Sequence, residues 1–337
     1  MNVPLQDLWP EMMLGMWAAG WLAFFLAVPL ALAVDYLLGE PPAVWHPVVW
    51  MGKALQWWGD RLAPTSPVAQ DFKTFWRSAL IWYALAAIVF IVTWATQQLV
   101  LMFHGLLAAA LLALLLKPLL AWRMLRDEVL AVEVALGQSL PAGRAQLSRL
   151  VSRDVSALTA VQVRESAIES LAENLNDSVV APLAWFALAG LPGAVLYRFA
   201  NTADAMWGYR GAWEWAGKWA ARADDLLSWP TARLTAALLL RPAWRPRQWS
   251  RLAREAACTP SPNGGWPMGA MALRLDVRLR KPGVYALHAA GRSPEAADLV
   301  QALRLARSAA RIWTGVLAGG LVAGALMMLT RLAGGPA

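Results

Sequence analysis

The sequence has few of the residues that build disulfides or transition-metal sites. Among its 337 residues there is one cysteine, Cys258, and there are three histidines. A single cysteine excludes an internal disulfide and any Cys-rich zinc site. The histidines form no pair at metal-ligand spacing, so catalysis by zinc or iron is not expected.

The sequence also lacks the common nucleotide-binding patterns. It contains neither a Walker A motif nor the glycine pattern of a Rossmann fold, and no internal repeat or low-complexity linker divides it. Any nucleotide would therefore be bound by a less familiar device.

Charged residues are scarce, at 15% of the chain, while 58% of the residues are hydrophobic and the mean hydropathy is +0.43. Soluble domains average about 25% charged residues, so this composition predicts an integral membrane protein. The 21 tryptophans favour a bilayer interface. The net charge is +8. We expect the basic residues to lie on the cytoplasmic side of the membrane and to contact anionic lipid or phosphorylated substrates, not nucleic acid.

The hydropathy pattern predicts an all-α polytopic membrane protein. It would form a single domain over 1–337, with about four to five membrane helices, a broken or re-entrant segment and a helical cytoplasmic portion. The predicted membrane segments are 13–34, 77–97, 99–120, 179–200 (broken) and 312–330. A turn at Gln97-Gln98 would join the second and third. The predicted cytoplasmic portions are 35–76, 121–178 and 201–311. The N-terminus has no basic region or cleavage pattern, so 13–34 is expected to be retained.

The apolar segment 179–200 is interrupted at its centre by Gly190, Pro192 and Gly193. Each half is too short to cross a bilayer. The segment from 201 to 311 holds 17 of the 30 Lys and Arg residues and should be cytoplasmic. We therefore expect 179–200 to be a re-entrant hairpin, or to cross and be followed by a return through 228–240.

A row of carboxylates distinguishes the stretch before this interruption. Ser152 as N-cap and Asp154 in the first turn predict a helix that continues to Pro182. Acidic residues recur there every four positions and lie on one helix face, about 6 Å apart. The row contains Glu165, Glu169, Glu173 and Asp177. No Lys or Arg occurs between Arg164 and Arg198 to neutralise it.

Two interpretations of this row remain. Uncompensated carboxylates repel one another, and a bound cation would remove the repulsion. Hard oxygen ligands, with Asn174 and Asn176 beside them, suit Mg²⁺ or a Mg-nucleotide. The alternative is a plain acidic face without a ligand.

Polar clusters elsewhere are further candidates, although each by itself could be a capped turn. Asp35, Glu40 and His46 follow the first span and could line a cytoplasmic site. Ser261-Pro262-Asn263-Gly264-Gly265 is a tight loop able to aim backbone N–H groups at an anion. The remaining clusters contain Asn201, Thr202 and Asp204 with Gly208-Tyr209-Arg210, and Asp224 and Asp225 with Pro230 and Arg233.

Five ordered motifs together resemble the CobD/CbiB family. They are ESxxEN with a following Asp, then VVAPL and YRFANTADAMWGY, preceded by D-x-x-x-G-[DE]-P…HP…G and followed by SPNGGW. The similarity covers the chain from about Asp35 to about residue 305. Ser178 stands where the family usually has Gly, and Arg198 where Lys is common, which keeps the charge but changes the donor geometry.

The resemblance implies an integral-membrane adenosylcobinamide-phosphate synthase. Such an enzyme uses ATP and Mg²⁺ to join adenosylcobyric acid to (R)-1-amino-2-propanol phosphate or a related amine. It would lie in the inner membrane of a prokaryote with its active site on the cytoplasmic side, and it could associate with other cobalamin-pathway enzymes or with itself.

On this resemblance we assign roles as hypotheses. Mg²⁺ would be bound by Glu169, Glu173 and Asp177, with Glu165 further out. Phosphate groups would be bound by Arg153, Arg198, Arg210 and Arg233, of which Arg153 and Arg233 are the catalytic candidates. Substrate groups would be oriented by Asn174, Asn201 and Asn263, with Asp35, Glu40, His46 and Ser261 as further binding candidates. Either Asp204 or Asp225 would deprotonate the incoming ammonium.

Two other functions are compatible with the sequence. A broken helix beside acidic residues is also how transporters build ion sites, although few hydrophobic segments and no inverted repeat are present. The wider superfamily also includes AmpE-like membrane signalling proteins, which need no catalytic site.

Overall fold

The computed structural model describes residues 20, 23–24, 26–62, 70–209, 211–241 and 245–333, and the described chain is mostly helical. Its helices are α1 (Leu26–Leu38), α2 (Pro47–Leu62), α3 (Phe72–Leu101), α4 (Gly105–Leu116), α5 (Trp122–Gln138), α6 (Leu140–Leu147), α7 (Ala160–Leu175), α8 (Ala181–Trp207), α9 (Glu214–Leu240), α10 (Pro246–Ala256), α11 (Gly265–Leu275) and α12 (Ala296–Ala333). A two-stranded antiparallel hairpin, β1 (Leu279–Lys281) and β2 (Tyr285–Leu287), lies between α11 and α12.

Among the described residues, three helical stretches are long and apolar enough, by length and composition, to cross a membrane: Phe72–Leu101, Gly105–Gln138 and Ala160–Trp207. In α3, large apolar side chains such as Leu80 and Ile91 are more than 60% exposed, which suits lipid and not water. The predicted all-α membrane fold is confirmed. The number of four to five membrane helices stays a prediction, since most of 13–25 lies outside the described residues.

The predicted turn at Gln97-Gln98 is wrong, because α3 continues to Leu101 and the chain turns at 102–104. The predicted span 99–120 is correspondingly split into the end of α3, the 12-residue α4 and a bend before α5. Gln97 looks like a turn residue but is buried, and its side-chain oxygen accepts a hydrogen bond from Leu191 N at 2.7 Å. The polar side chain of Gln97 therefore makes an internal hydrogen bond and does not mark a surface turn.

The predicted interruption of 179–200 is confirmed at Ala189 and Gly190, which leave the helical conformation within α8. Gly190 has φ +66° and ψ −157°, a region that is essentially limited to glycine. The chain folds back there, since Tyr197 Oη donates to Asp177 Oδ1 at 3.2 Å. In a straight helix these residues would be about 30 Å apart. The fold-back thus brings the end of the acidic row against the second half of α8, and it does not decide whether 179–200 is re-entrant or crosses the membrane.

The helix that carries the acidic row begins at Ala160 and not at Ser152. Thr159 and Gln162 form a reciprocal capping box at its start. Asp154 instead accepts the N–H of Ser156 in a separate turn. After Leu175 the helix widens into one π-helical segment, Asn176–Val180, and continues as α8. Ten of the 16 residues of α7 are buried, among them Glu165 and Glu169, whereas Glu173 is exposed, so only part of the row is accessible to solvent.

The last helix is longer than the predicted span 312–330, since α12 begins at Ala296. Before it, β1 and β2 are joined by a turn in which Val284 N donates to Lys281 O at 2.9 Å. Pro282 and Gly283, the latter at φ +72°, occupy the central positions, as in a type II turn. This hairpin packs on α7 and brings two basic strand residues over the acidic row.

Candidate active site

The first member of the acidic row is neutralised by distant residues. Glu165 is fully buried, and its carboxylate accepts hydrogen bonds from Arg280 Nε at 3.2 and 3.3 Å. Arg278 Nε lies 3.8 Å from the same carboxylate. Glu165 is thus held in an ion pair with the hairpin segment, and it faces neither of the two cavities that the later members of the row line.

The second member, Glu169, lies at a small polar cavity of about 180 Å³. Its carboxylate is 3.5 Å from Arg153 Nη2, which also donates to Ser166. Lys281 and Tyr285 reach the cavity from the hairpin. Other lining residues from α7 and the preceding loop are Ser152, Ser170 and Asn174. The cavity therefore presents both positive and negative groups to a small ligand.

Several polar atoms at this small cavity have no hydrogen-bond partner among the described residues. The Arg153 Nε and Nη1 atoms and the Glu169 Oε1 atom are buried without a hydrogen bond from the described residues. Unpartnered buried polar atoms are costly, so a water or ligand is expected to satisfy them. Asn174, by contrast, donates to the main-chain and side-chain oxygens of Ser170 at 2.9 and 3.2 Å.

Glu173 forms the wall between this small cavity and a larger one, because it lines both. Glu173 is exposed to solvent, and it lines both cavities. The loop before α11 approaches it closely: a Cβ on Gly264 would lie 2.9 Å from Glu173 Oε1. Because glycine has no Cβ atom, residue 264 leaves room for the Glu173 carboxylate.

The fourth member, Asp177, is in the π-helical segment and is held by three side chains. Asn176 donates to its Oδ1 at 2.8 Å, Tyr197 donates to the same atom, and Asn201 donates to its Oδ2 at 3.3 Å. Arg198 donates to the Asp177 main-chain oxygen at 3.0 Å and to Asn201 Oδ1 at 3.2 Å. Arg198 does not line either cavity and instead fixes the backbone of this segment.

The larger cavity has a volume of about 410 Å³ and lies between α7, α8, α9 and the loop before α11. Six carboxylates line it, but only two described cations do, Lys218 and Arg222. Lys218 Nζ lies 3.6 Å from one of the six carboxylates, that of Glu214. The carboxylates belong to Glu173, Asp177, Asp204, Glu214, Asp224 and Asp225. This excess of negative charge favours a cationic ligand.

Burial raises the pKa of two of these carboxyls, which follow one another in α9. The pKa of Asp224 lies well above its usual range because of desolvation and the nearby charges of Asp177 and Asp204. Desolvation also raises the pKa of Asp225, against a hydrogen bond from Asn263. A carboxylate with a raised pKa is a better proton acceptor, as a general base requires.

The SPNGG loop is present at the cavity, but its N–H groups are not all aimed outward. The Ser261 hydroxyl accepts from Asn263 N at 3.2 Å and from Gly264 N at 3.0 Å, so the proposed anion site is wrong for these two groups. Asn263 donates to Asp225 O at 2.7 Å and accepts from Arg233 at 3.0 Å. The loop thus positions α9 against α11.

Arg233 does not line either cavity. Besides bonding Asn263, its guanidinium lies over the rings of Trp229 and Trp266, with centroid distances of 4.2 and 4.6 Å. It therefore stabilises the loop. Arg210 lies outside the described residues.

Asp35, Glu40 and His46 form a separate cluster around Lys117. Glu40 accepts from Lys117 Nζ at 3.1 Å and lies 3.0 Å from His46 Nε2. Asp35 is fully buried, 3.5 Å from Lys117 Nζ, and accepts the N–H of Arg123 at 2.9 Å. The three residues do come together at the end of α1, but none lines either of the two cavities.

No ready-made metal cage is present among the described residues, because no three or more His, Cys, Asp or Glu side chains converge at ligand distance. Mg²⁺ commonly takes one or two protein carboxylates and completes its shell with water and substrate phosphates. Glu173 and Asp177, which line the same cavity, fit that mode of binding. Glu165 does not, since Arg280 occupies its carboxylate.

Sequence reasoning missed several residues at these cavities. Lys218 and Arg222 lie four residues apart on one face of α9, a spacing that could have been recognised. Lys281 and Tyr285 could be recognised through the Pro282-Gly283 turn, which predicts a hairpin.

Comparisons with known proteins show the family to which the chain belongs. Residues 28–330 match the family model described as CobD/Cbib protein. A probable cobalamin biosynthesis protein CobD from Methanothermobacter thermautotrophicus is 40% identical over 77% of this chain and 84% of its own length. A cobalamin biosynthesis protein CobD from Brucella anthropi is 33% identical over 90% of this chain and 98% of its own. No solved structure matches. The chain therefore belongs to the CobD/CbiB family.

Proposed function

We propose that this protein is an ATP-dependent amide ligase of cobalamin biosynthesis. It would join adenosylcobyric acid to (R)-1-amino-2-propanol phosphate and give adenosylcobinamide phosphate. One observation carries this proposal: within a CobD/CbiB chain, an acidic cavity and a small cavity of mixed charge share one wall, Glu173. Two reactants of different size could meet at that wall.

The reaction needs an activated carboxylate. An oxygen of the corrinoid propionate attacks the γ-phosphorus of ATP, ADP leaves, and an acyl phosphate forms. The amine nitrogen then attacks the acyl carbon, inorganic phosphate leaves, and a base takes the proton lost from nitrogen. Both steps bring anions together, which raises the barrier unless charge is neutralised.

The larger cavity is suited to the phosphoryl-transfer step. Glu173 and Asp177 would hold Mg²⁺, which supplies charge neutralisation to the triphosphate when bound. Arg222 is the described cation of this cavity that lacks a carboxylate partner among the described residues. Asp225, with its raised pKa, is well suited to accept the proton from the incoming ammonium. Asp224 is the nearby alternative.

The small cavity is suited to the amine. Aminopropanol phosphate carries an ammonium and a phosphate, and the cavity offers Glu169 and Glu173 for the first and Arg153 and Lys281 for the second. Its volume of about 180 Å³ is below the 300–1,000 Å³ of typical cofactor pockets, so it suits a small amine better than a nucleotide or corrinoid. The shared Glu173 would place the ammonium at the boundary with the larger cavity.

The proposal is tested with the detergent-solubilised protein, adenosylcobyric acid, Mg-ATP and aminopropanol phosphate. The corrinoid is followed by mass while each component is omitted in turn. We expect product only in the complete mixture. Absence of product with active relatives assayed alongside would remove the ligase assignment.

A transport function is the second candidate, because the broken α8 beside acidic residues is a feature of transporter ion sites. Uptake of a corrinoid or amine into sealed vesicles, without ATP-dependent product, would favour it.

A further inference from the structure

A third cavity, of about 340 Å³, lies where the end of α1, the start of α5 and the middle of α12 meet. Within the part of the chain that the structure describes, it shares no lining residue with the two cavities of the candidate active site. Leu32, Ala33 and Ala310 form apolar walls, while Arg307 and Arg311 contribute guanidinium groups. The cavity is thus divided between an apolar side and a strongly basic side.

The two arginines form an uncompensated pair. They are four residues apart on α12 and therefore share a face, where like charges repel. No carboxylate of the described residues lies within 4.0 Å of either guanidinium, whereas Arg126, on neighbouring α5, is 2.6 Å from Asp127. Glu165 and Glu169 of α7 have cationic partners from other segments, but this basic pair has no carboxylate partner among the described residues. An anionic ligand would remove the repulsion.

Aromatic residues frame the basic side. Arg307 and Arg126 approach the ring of Tyr36, at 6.0 and 5.2 Å from its centroid, and Trp122 forms another wall. Tyr and Trp are the residues that favour the headgroup level of a bilayer. Their position agrees with the end of apolar α1 at Leu38 and with the apolar sequence that begins after Arg311.

We propose that this cavity binds the phosphate headgroup of an anionic phospholipid. Arg307 and Arg311 bind the phosphate, and the acyl chains lie along Leu32 and Ala33 toward the lipid-facing surface. A soluble phosphate would use the arginines but would leave the apolar walls in contact with water, so the divided lining favours a lipid. Leu37 and Leu38, which follow the cavity residue Tyr36 in α1, are exposed and add apolar surface at this end of the helix.

The test measures lipid retention by the full-length protein in native mass spectrometry, with phosphatidylglycerol and phosphatidylcholine of identical acyl chains. We expect phosphatidylglycerol to bind at least about tenfold more tightly than phosphatidylcholine. The double substitution Arg307→Gln with Arg311→Gln should abolish this preference. Arg304→Gln, which removes an exposed charge on the same helix outside the cavity, should keep it.

A charge-retaining variant and competition by soluble phosphates complete the test. Arg307→Lys with Arg311→Lys retains both charges, so it should keep the preference even if the Gln variant folds poorly. Glycerol phosphate and inorganic phosphate test the soluble source: displacement of the lipid by a modest excess of either would overturn the assignment to a lipid. Equal loss of lipid in the Arg304→Gln variant would overturn the assignment to this cavity. Ligase activity plays no part in these readouts.

Discussion

The two halves of the acidic row have the same spacing but different surroundings. Glu165 is sealed in an ion pair with Arg280, and Glu169 lies beside Arg153. Glu173 and Asp177, at the same four-residue interval, face a cavity with more carboxylates than cations. Identical local patterns thus produce a structural ion pair at one end and a candidate ligand site at the other.

The difference teaches that local sequence gives the face of a helix but not its electrostatic partners. The sequence between Arg164 and Arg198 contains no cation, which correctly describes the helix itself. The neutralising groups come from Arg153 before α7 and from Arg280, more than 100 residues later. The predictions below test whether this division between the two halves is functional.

The largest effect is expected from Glu173→Gln. This change keeps the shape but removes the charge shared by both cavities, so ligase turnover should fall by about 10²–10³-fold or more. The measurement is product formation by the detergent-solubilised protein. Glu165→Gln is the matched control and should retain turnover per folded molecule. Near-normal activity of Glu173→Gln would remove that residue from the site.

Asp225→Asn should lower turnover by about 10²-fold and change its pH dependence. The raised pKa of Asp225 means that its carboxylate is protonated at a higher pH than an ordinary aspartate. A base must be ionised, so kcat/KM of the parent protein should fall as the pH drops through this raised pKa. The substitution should remove that acid limb. If the fall of kcat/KM at low pH persists in Asp225→Asn but disappears in Asp224→Asn, the base is Asp224.

Asp177→Asn should act on the metal requirement. The Mg²⁺ concentration for half-maximal activity should rise by about tenfold or more, since one carboxylate ligand is lost. A Mg²⁺ titration of activity, with Glu165→Gln in parallel, measures the shift. An equal shift in both variants would mean that the two halves of the row do not differ in metal binding.

These expectations also mark what the sequence could and could not predict. The break at Gly190 and the common face of the row depend on local chemistry, so they were predictable. The predicted start of α7 at Ser152 was wrong, because the capping box of Thr159 and Gln162 begins the helix later. The turn at Gln97 was wrong because a buried amide caps a distant helix break, a tertiary contact without a local pattern.

The site shows the same limit. The sequence predicted that polar residues from several clusters belong together, and Glu173, Asp177, Asp204, Asp225 and Asn263 do line one cavity. It did not predict that Arg198 would support the backbone of Asp177 or that Arg233 would hold a loop. Both arginines have the residue type of a phosphate ligand, but their bonding partners are set by packing.

Glu165→Gln is expected to affect stability rather than activity. Loss of the buried charge leaves Arg280 and Arg278 poorly paired and should lower the free energy of unfolding by about 1–3 kcal/mol. Thermal unfolding in detergent, compared among Glu165→Gln, Arg280→Gln and the double variant, measures the coupling. Strict additivity of the two single changes would contradict a direct ion pair.

The smallest effect is expected from Gly264→Ala, which tests how finely the cavity-facing half must be positioned. The added methyl group would lie 2.9 Å from Glu173 Oε1, so the carboxylate must move. Because the Glu173 side chain is flexible, the fold should persist. Turnover should drop by about three- to tenfold, since the Glu173 carboxylate would be misplaced. Gly137→Ala, where a Cβ meets no atom within 4 Å, is the matched control on a helix. If Gly264→Ala is as active as this control, the position of Glu173 is not critical, and its role would be limited to its charge.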